Sequence, residues 1–131
     1  MPNALKRMIV CLSLSIGLLM GCRPKKIAGN YCVEAIDTKD DTSLYYVLEN
    51  GDGVGRIEPR VVSVGWDTKH IIAKRIVKAR TDPLFYIVEI EKDHALADPE
   101  DVVTGPLSEE EFWLKRKQLN VSPSLEFTVN Y

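Results

Sequence analysis

The sequence predicts an α+β domain, in which an antiparallel, twisted or partly closed sheet of about five or six strands carries one packed C-terminal helix. Three observations lead there. Short runs rich in β-branched and aromatic residues recur between turn-forming residues. The last of these runs alternates strictly between apolar and polar side chains, and one segment carries a full set of helix-start and helix-stop signals.

The expected strands are residues 30–37, 43–49, 60–66, 70–78, 84–91 and 125–130. Alternation is clearest in the last, where Leu125, Phe127 and Val129 interleave with Glu126, Thr128 and Asn130, so that one face is buried and the other wet. The best hairpin joins Val61-Val62-Ser63-Val64-Gly65 to Ile71-Ile72-Ala73-Lys74 through Trp66-Asp67-Thr68-Lys69-His70. Asp67 and Thr68 can hydrogen-bond the turn backbone while the flanks supply apolar pairs. Gly65 beside Trp66 marks a bulge or a place where a ring lies over bare backbone. Asn50-Gly51-Asp52-Gly53 reads as a second turn.

The helix is expected over residues 109–119. Ser108 is placed to cap it and Glu111 to reach back, while Leu107 and Phe112 are spaced as a hydrophobic staple. Glu109 to Glu111 suit the positive end of the helix dipole, and Lys115 to Lys117 the negative end. Asn120 suits a left-handed exit. Phe112 and Leu119, with the stem of Lys115 and with Trp113 beside them, form the face expected to pack on the sheet.

The N-terminus has a different character. Lys6 and Arg7 precede an apolar run from Met8 to Leu19, well short of the ~20 residues that span a bilayer as a helix. This is the layout of a secretory signal peptide. It ends in Leu19-Met20-Gly21-Cys22, followed by an abrupt polar switch to Arg23-Pro24-Lys25-Lys26. The motif resembles the bacterial lipobox, although Met20 stands where a small or β-branched residue is usual. The resemblance implies cleavage before Cys22, with covalent diacylglycerol and an N-acyl lipid on that cysteine. It also implies a cell-envelope location, on the outer membrane facing the periplasm if the host has two membranes, because the residue after the cysteine is Arg23. The chain then divides into a signal peptide (1–21), a lipid anchor and short tether (22–29) and a single domain (30–131). Lys25 and Lys26 are placed to lean on anionic headgroups.

Composition narrows the function classes. The 131 residues include 17 basic and 19 acidic ones, and loss of Lys6 and Arg7 with the signal leaves 15 against 19. A mildly acidic chain without a basic cluster is a poor nucleic-acid binder. With Cys11 removed and Cys22 acylated, Cys32 has no disulfide partner, and its apolar strand context predicts a buried thiol.

Four constellations bear on chemistry. Asn50 to Ile57 has the oxygens and glycine of a calcium loop at some places, but Val54 and Val61 stand where oxygen ligands are required, so a glycine-rich turn is the better reading. His70 and His94 are the only histidines, too few for the usual catalytic zinc set. No metal site, catalytic residue or cofactor is expected. The acidic stretch 98–101 reads as a solvated turn, since acid–base work needs a cleft that separates two pKa values. Aromatic residues anchor interfaces: Tyr45, Tyr46, Trp66, Phe85, Tyr86 and Trp113 could build a patch, although strand alternation turns about half of them to the core, and Tyr45, Trp66, Tyr86 and Trp113, with Asp67 and His70, make up the candidate binding surface.

The segments Val64-Gly65-Trp66-Asp67-Thr68-Lys69-His70-Ile71-Ile72-Ala73-Lys74 and Gly105-Pro106-Leu107-Ser108-Glu109-Glu110-Glu111-Phe112 resemble a family of small bacterial lipoproteins of unknown function. The resemblance implies location and compactness, not mechanism. The leading expectation is a membrane-anchored, non-catalytic module that binds an envelope protein or ligand through a sheet edge or exposed aromatics. The alternative is an envelope hydrolase or metal-dependent enzyme using Asp67, His70 and the acidic loop.

Overall fold

A computed structural model of the chain describes residues 25–131. The expected signal peptide and Cys22 lie outside the described residues. The expected α+β class holds: mostly antiparallel β-structure with a C-terminal helix.

The strands are divided between two sheets. The first has the order β1 (Lys25–Lys26), β2 (Tyr31–Glu34), β3 (Ser43–Val47), β4 (Gly53–Ile57). The second runs β8 (Val103–Leu107), β7 (Leu84–Glu89), β6 (His70–Arg75), β5 (Val61–Trp66), β9 (Val129–Asn130). Every pairing is antiparallel. Between the sheets lies one apolar cluster, to which Tyr31, Val33, Leu44 and Ile57 come from the first sheet and Val61, Val64, Ile71, Ala73, Tyr86 and Val88 from the second.

The second sheet is covered on its other face as well. Ile72, Phe85 and Ile87 point away from the first core into a second one, closed by Phe112 of helix α2 (Glu109–Gln118) and by Val121 and Leu125 of the segment after it. Successive side chains on a strand face opposite ways, so a strand buried on both faces reads as an unbroken apolar run. Ile71-Ile72-Ala73 and Phe85-Tyr86-Ile87-Val88 are such runs, and all are buried.

The hairpin of β5 and β6 forms as expected, with Trp66 opposite Ile71. Asp67 Oδ1 accepts the amides of Lys69 and His70, each at 2.8 Å, and closes the turn. The cap of α2 also forms: Ser108 Oγ accepts the Glu111 amide at 3.2 Å. Asn120 leaves the helix at φ 55°, in the left-handed region expected of it. The buried partner of Phe112 on this helix is Arg116, one turn on, rather than Lys115. Its Nη2 donates to the carbonyls of Ser122 and Leu125 at 2.9 and 2.7 Å, which ties down the chain that follows the helix.

Several local expectations are corrected. Residues 125–128, part of the most regular sequence pattern, form no ladder, and only Val129–Asn130 pairs with β5. The alternation survives in burial, yet the Glu126 carbonyl lies where a Cβ on Gly65 would stand, at 1.9 Å from that position. Gly65 therefore accommodates crossing backbone rather than a bulge or an overlying ring. The glycine-rich stretch 53–57 is a strand as well as a turn exit, because Val54 and Ile57 pair with Tyr46 and Leu44. Residues 103–107 are also a strand despite Pro106, which sits on the edge of its sheet where a missing amide is tolerated. Finally, Lys25 and Lys26, read as bare tether, pair with Val33 and Cys32 and make the edge of the first sheet.

Candidate functional site

The first sheet carries a concavity of about 690 Å³. Its walls come from β1 and the turn after it (Lys26, Gly29, Asn30), from β2 and β3, from the β3–β4 turn, and from Ala95. Local chemistry shapes that rim. Gly29 adopts φ 49° to turn the chain from β1 into β2. Across the strands, the Val47 amide donates to the Asn30 carbonyl at 2.6 Å, and Asn30 Nδ2 donates to the Tyr46 hydroxyl at 3.2 Å. In the β3–β4 turn Asn50 Oδ1 accepts the Asp52 amide, with Gly51 at φ 91°.

Behind this concavity is a buried ion pair. Arg56 grips Asp93 by two parallel bonds of 2.8 Å, from Nε to Oδ2 and from Nη2 to Oδ1, and both side chains are fully shielded from solvent. Tyr31 donates its hydroxyl to Asp93 Oδ2 at 2.6 Å, and the His94 amide donates to Oδ1 at 2.8 Å. The Arg56 guanidinium lies over the Tyr46 ring, 5.3 Å from its centre, and the Tyr31 and Tyr46 rings meet edge to face at 5.4 Å.

The electrostatics follow from this packing. Burial works to raise the Asp93 carboxyl, but the bonds from Arg56 and Tyr31 outweigh it and hold the group below the usual carboxylate range. Burial, then the bond to Asp93, pushes the Tyr31 phenol well above its ordinary value. The bond to Asp93 raises Arg56 further. All three groups are fixed in the protonation states they hold at neutral pH. They form a structural brace, since the phenol, the carboxylate and the guanidinium are bound to one another and to neighbouring backbone.

Tyr31 and Tyr46 belong to both the brace and the concavity. Cys32 reaches the same wall as a free, buried thiol, as its strand context predicts, and burial raises its pKa.

The six residues of the candidate binding surface expected from sequence are not gathered there. Tyr45 is half-buried on β3 and packs against Gly53. Trp66 is half-buried against the inter-sheet core. Asp67 is held by its turn, where the His70 and Lys69 amides overcome the effect of burial and depress its pKa. His70 and Tyr86 are each only 7% exposed, and the Tyr86 hydroxyl accepts a bond from Arg75 Nη1 at 3.1 Å. Trp113 is exposed on the helix, with the Arg116 guanidinium over its ring.

Asp98 caps a single helical turn, α1 (Pro99–Val102), by accepting the Glu100 amide. The acidic stretch is thus a helix start rather than a loop. Among the described residues no cluster of three or more His, Cys, Asp or Glu side chains could hold a metal ion. No helix among them is long and apolar enough to cross a membrane.

Sequence reasoning missed Tyr31, Arg56 and Asp93 as parts of this site, and placed Tyr46 only in the wider set of aromatics that could build a patch. Arg56 and Asp93 are 37 positions apart, and no motif joins them. The one available signal was Tyr46, adjacent to Tyr45 and, by strand alternation, on the opposite face.

A family model covers residues 28–131, nearly all of the described domain. The chain belongs to the DUF3997 family of proteins of unknown function. No curated protein and no solved structure matches it. The DUF3997 match begins at residue 28, within the turn that leads to β2, and takes in both sheets and the helix. It covers the concavity except for Lys26, which belongs to the segment that precedes the match.

Proposed function

We propose that the protein is an envelope lipoprotein, anchored through lipid on Cys22, whose domain acts as a binding module rather than as a catalyst. The observation that carries the binding half of this reading is the formed concavity on the first sheet, braced from behind by a shielded ion pair. Binding sites are concave, pre-formed and few per protein, and usually lie between roughly 300 and 1,000 Å³. The anchoring half is supported by the basic start, the apolar run and Gly21-Cys22. Two or three acyl chains, at about 0.8 kcal/mol per buried methylene, hold a domain on a bilayer without further contacts.

Metabolic labelling with palmitate tests the anchor. The wild-type chain should take up label and sediment with membranes, whereas Cys22→Ser should stay unlabelled. If the wild-type chain stays unlabelled and fractionates like Cys22→Ser, the anchoring reading is wrong.

A further inference from the structure

We propose that the concavity on the first sheet takes the acyl chain of a zwitterionic phospholipid from the bilayer to which the protein is tethered. The proposal rests on the anchoring reading for its source of ligand, and on the structure for its chemistry.

Position is the first argument. Lys26 lines the concavity and stands four residues after Cys22. An extended chain spans at most ~3.6 Å per residue, so the wall at Lys26 lies within about 14 Å of the anchored cysteine. That is under half the ~30 Å thickness of a bilayer's hydrocarbon core. A site this close to the headgroups meets phospholipid at a higher local concentration than any soluble ligand.

The lining is the second argument. Tyr31, Cys32, Tyr46, Val47, Leu48 and Ala95 offer rings, a neutral thiol and aliphatic groups. Tyr31 spends its hydroxyl on Asp93, and Tyr46 accepts from Asn30. Such a wall suits hydrocarbon. The charges lie at exposed positions: Lys26 supplies one cation and Glu49 one anion. A phosphate opposite Lys26 and an ammonium opposite Glu49 would satisfy both, whereas a purely anionic head would meet Glu49 unfavourably.

The third argument is pre-organisation. Tyr31 and Tyr46 are fixed by the buried Arg56–Asp93 pair, so the wall need not be ordered when a chain enters.

The test uses a lysophosphatidylethanolamine carrying a photoreactive diazirine in its acyl chain. It is added to cell extracts containing the full chain, either wild type or Cys22→Ser, which are then illuminated, and the labelled peptides are located by mass spectrometry. Label should concentrate on residues 45–50 and on Ala95 in both proteins. Filling the concavity with Val47→Trp should lower that label at least fivefold, with an unchanged urea midpoint showing that the domain is folded. Leu48→Trp, in the turn, serves as a second filler should Val47→Trp not fold. Lys26→Gln and Glu49→Gln should lower labelling by this probe but not by a sugar-headed alkyl diazirine.

Label scattered over the surface, label indifferent to both fillers, or equal labelling by the two head types in the wild-type chain overturns the assignment. The intact mass of the same wild-type sample reports separately on Cys22. Acylated cysteine without label in the concavity leaves the anchor standing and refutes the lipid site. Label in the concavity without acylation does the reverse.

Discussion

At the scale of single residues, the Arg56–Asp93 pair dominates. Two charges out of water are tolerated only because both carboxylate oxygens and most of the guanidinium are hydrogen-bonded, the latter also to the carbonyls of Gly55 and His94. Removing one partner strands the other. Asp93→Ala should therefore lower stability by roughly 3–5 kcal/mol, read from urea unfolding, and Arg56→Met in the same chain should restore much of it, because an apolar pair carries no unpaired charge. The pair also sets an acid limit. The folded Asp93 binds its proton less readily than the unfolded residue, whose pKa is about 3.9. Its contribution is present in full well above that value and is lost as pH falls through it towards the lower folded pKa. Asp67 acts in the same direction. The urea midpoint should hold from pH 7 to about 5 and then decline, with a shallower decline in Asp93→Asn. A decline equally steep in that variant would mean that other carboxylates govern the acid limb.

At the scale of elements, Gly65 is where two segments come closest. A Cβ there would lie 1.9 Å from the Glu126 carbonyl oxygen, a contact with backbone that no rotamer change relieves. Gly65→Ala should push residues 125–128 off β5 and free the Thr128 amide, which donates to the Val64 carbonyl at 2.9 Å. Hydrogen exchange at Thr128 should accelerate well beyond exchange at Ile72 in β6. At the other end of that layer, Ser108→Ala removes the cap of α2 and should cost about 1 kcal/mol. This cap was legible because its chemistry is local, lying within four residues, and the same holds for the Asp67 turn and for the left-handed Asn120. β4 and β8 were not legible, since Gly53, Gly55, Gly105 and Pro106 weaken any strand signal and only pairing with β3 and β7 makes these segments strands. Residues 125–128 show the opposite case: alternation reports which face is buried, but not whether a neighbour's backbone is free to pair.

At the scale of the whole molecule, the class of fold was legible from run length and spacing, while the split into two sheets was not. Nothing in 43–47 or 61–66 states that Leu44 and Val64 meet across a core rather than within one ladder. The concavity escaped for a related reason. It is made by Lys26, Asn30, Tyr46 and Ala95, which only the folded chain brings together, and two of these are polar residues of ordinary turn and tether type. The shared core has a mechanical consequence. Leu44 is fully buried in the first sheet, and the cluster it joins includes Ile71 and Val88 of the second. Truncation to alanine should remove about 2–5 kcal/mol, the range for a buried leucine whose surroundings collapse incompletely. Were the sheets independent, only protection in β2, β3 and β4 would fall. With one core between them, amide exchange in β6 and β7 should rise by the same free energy, and Trp66 and Trp113 should report a single transition at the lowered midpoint, the cooperative behaviour of a small two-state domain. A Leu44→Ala protein that keeps wild-type protection in β7 would show that the first sheet, with its concavity, unfolds as a separate unit.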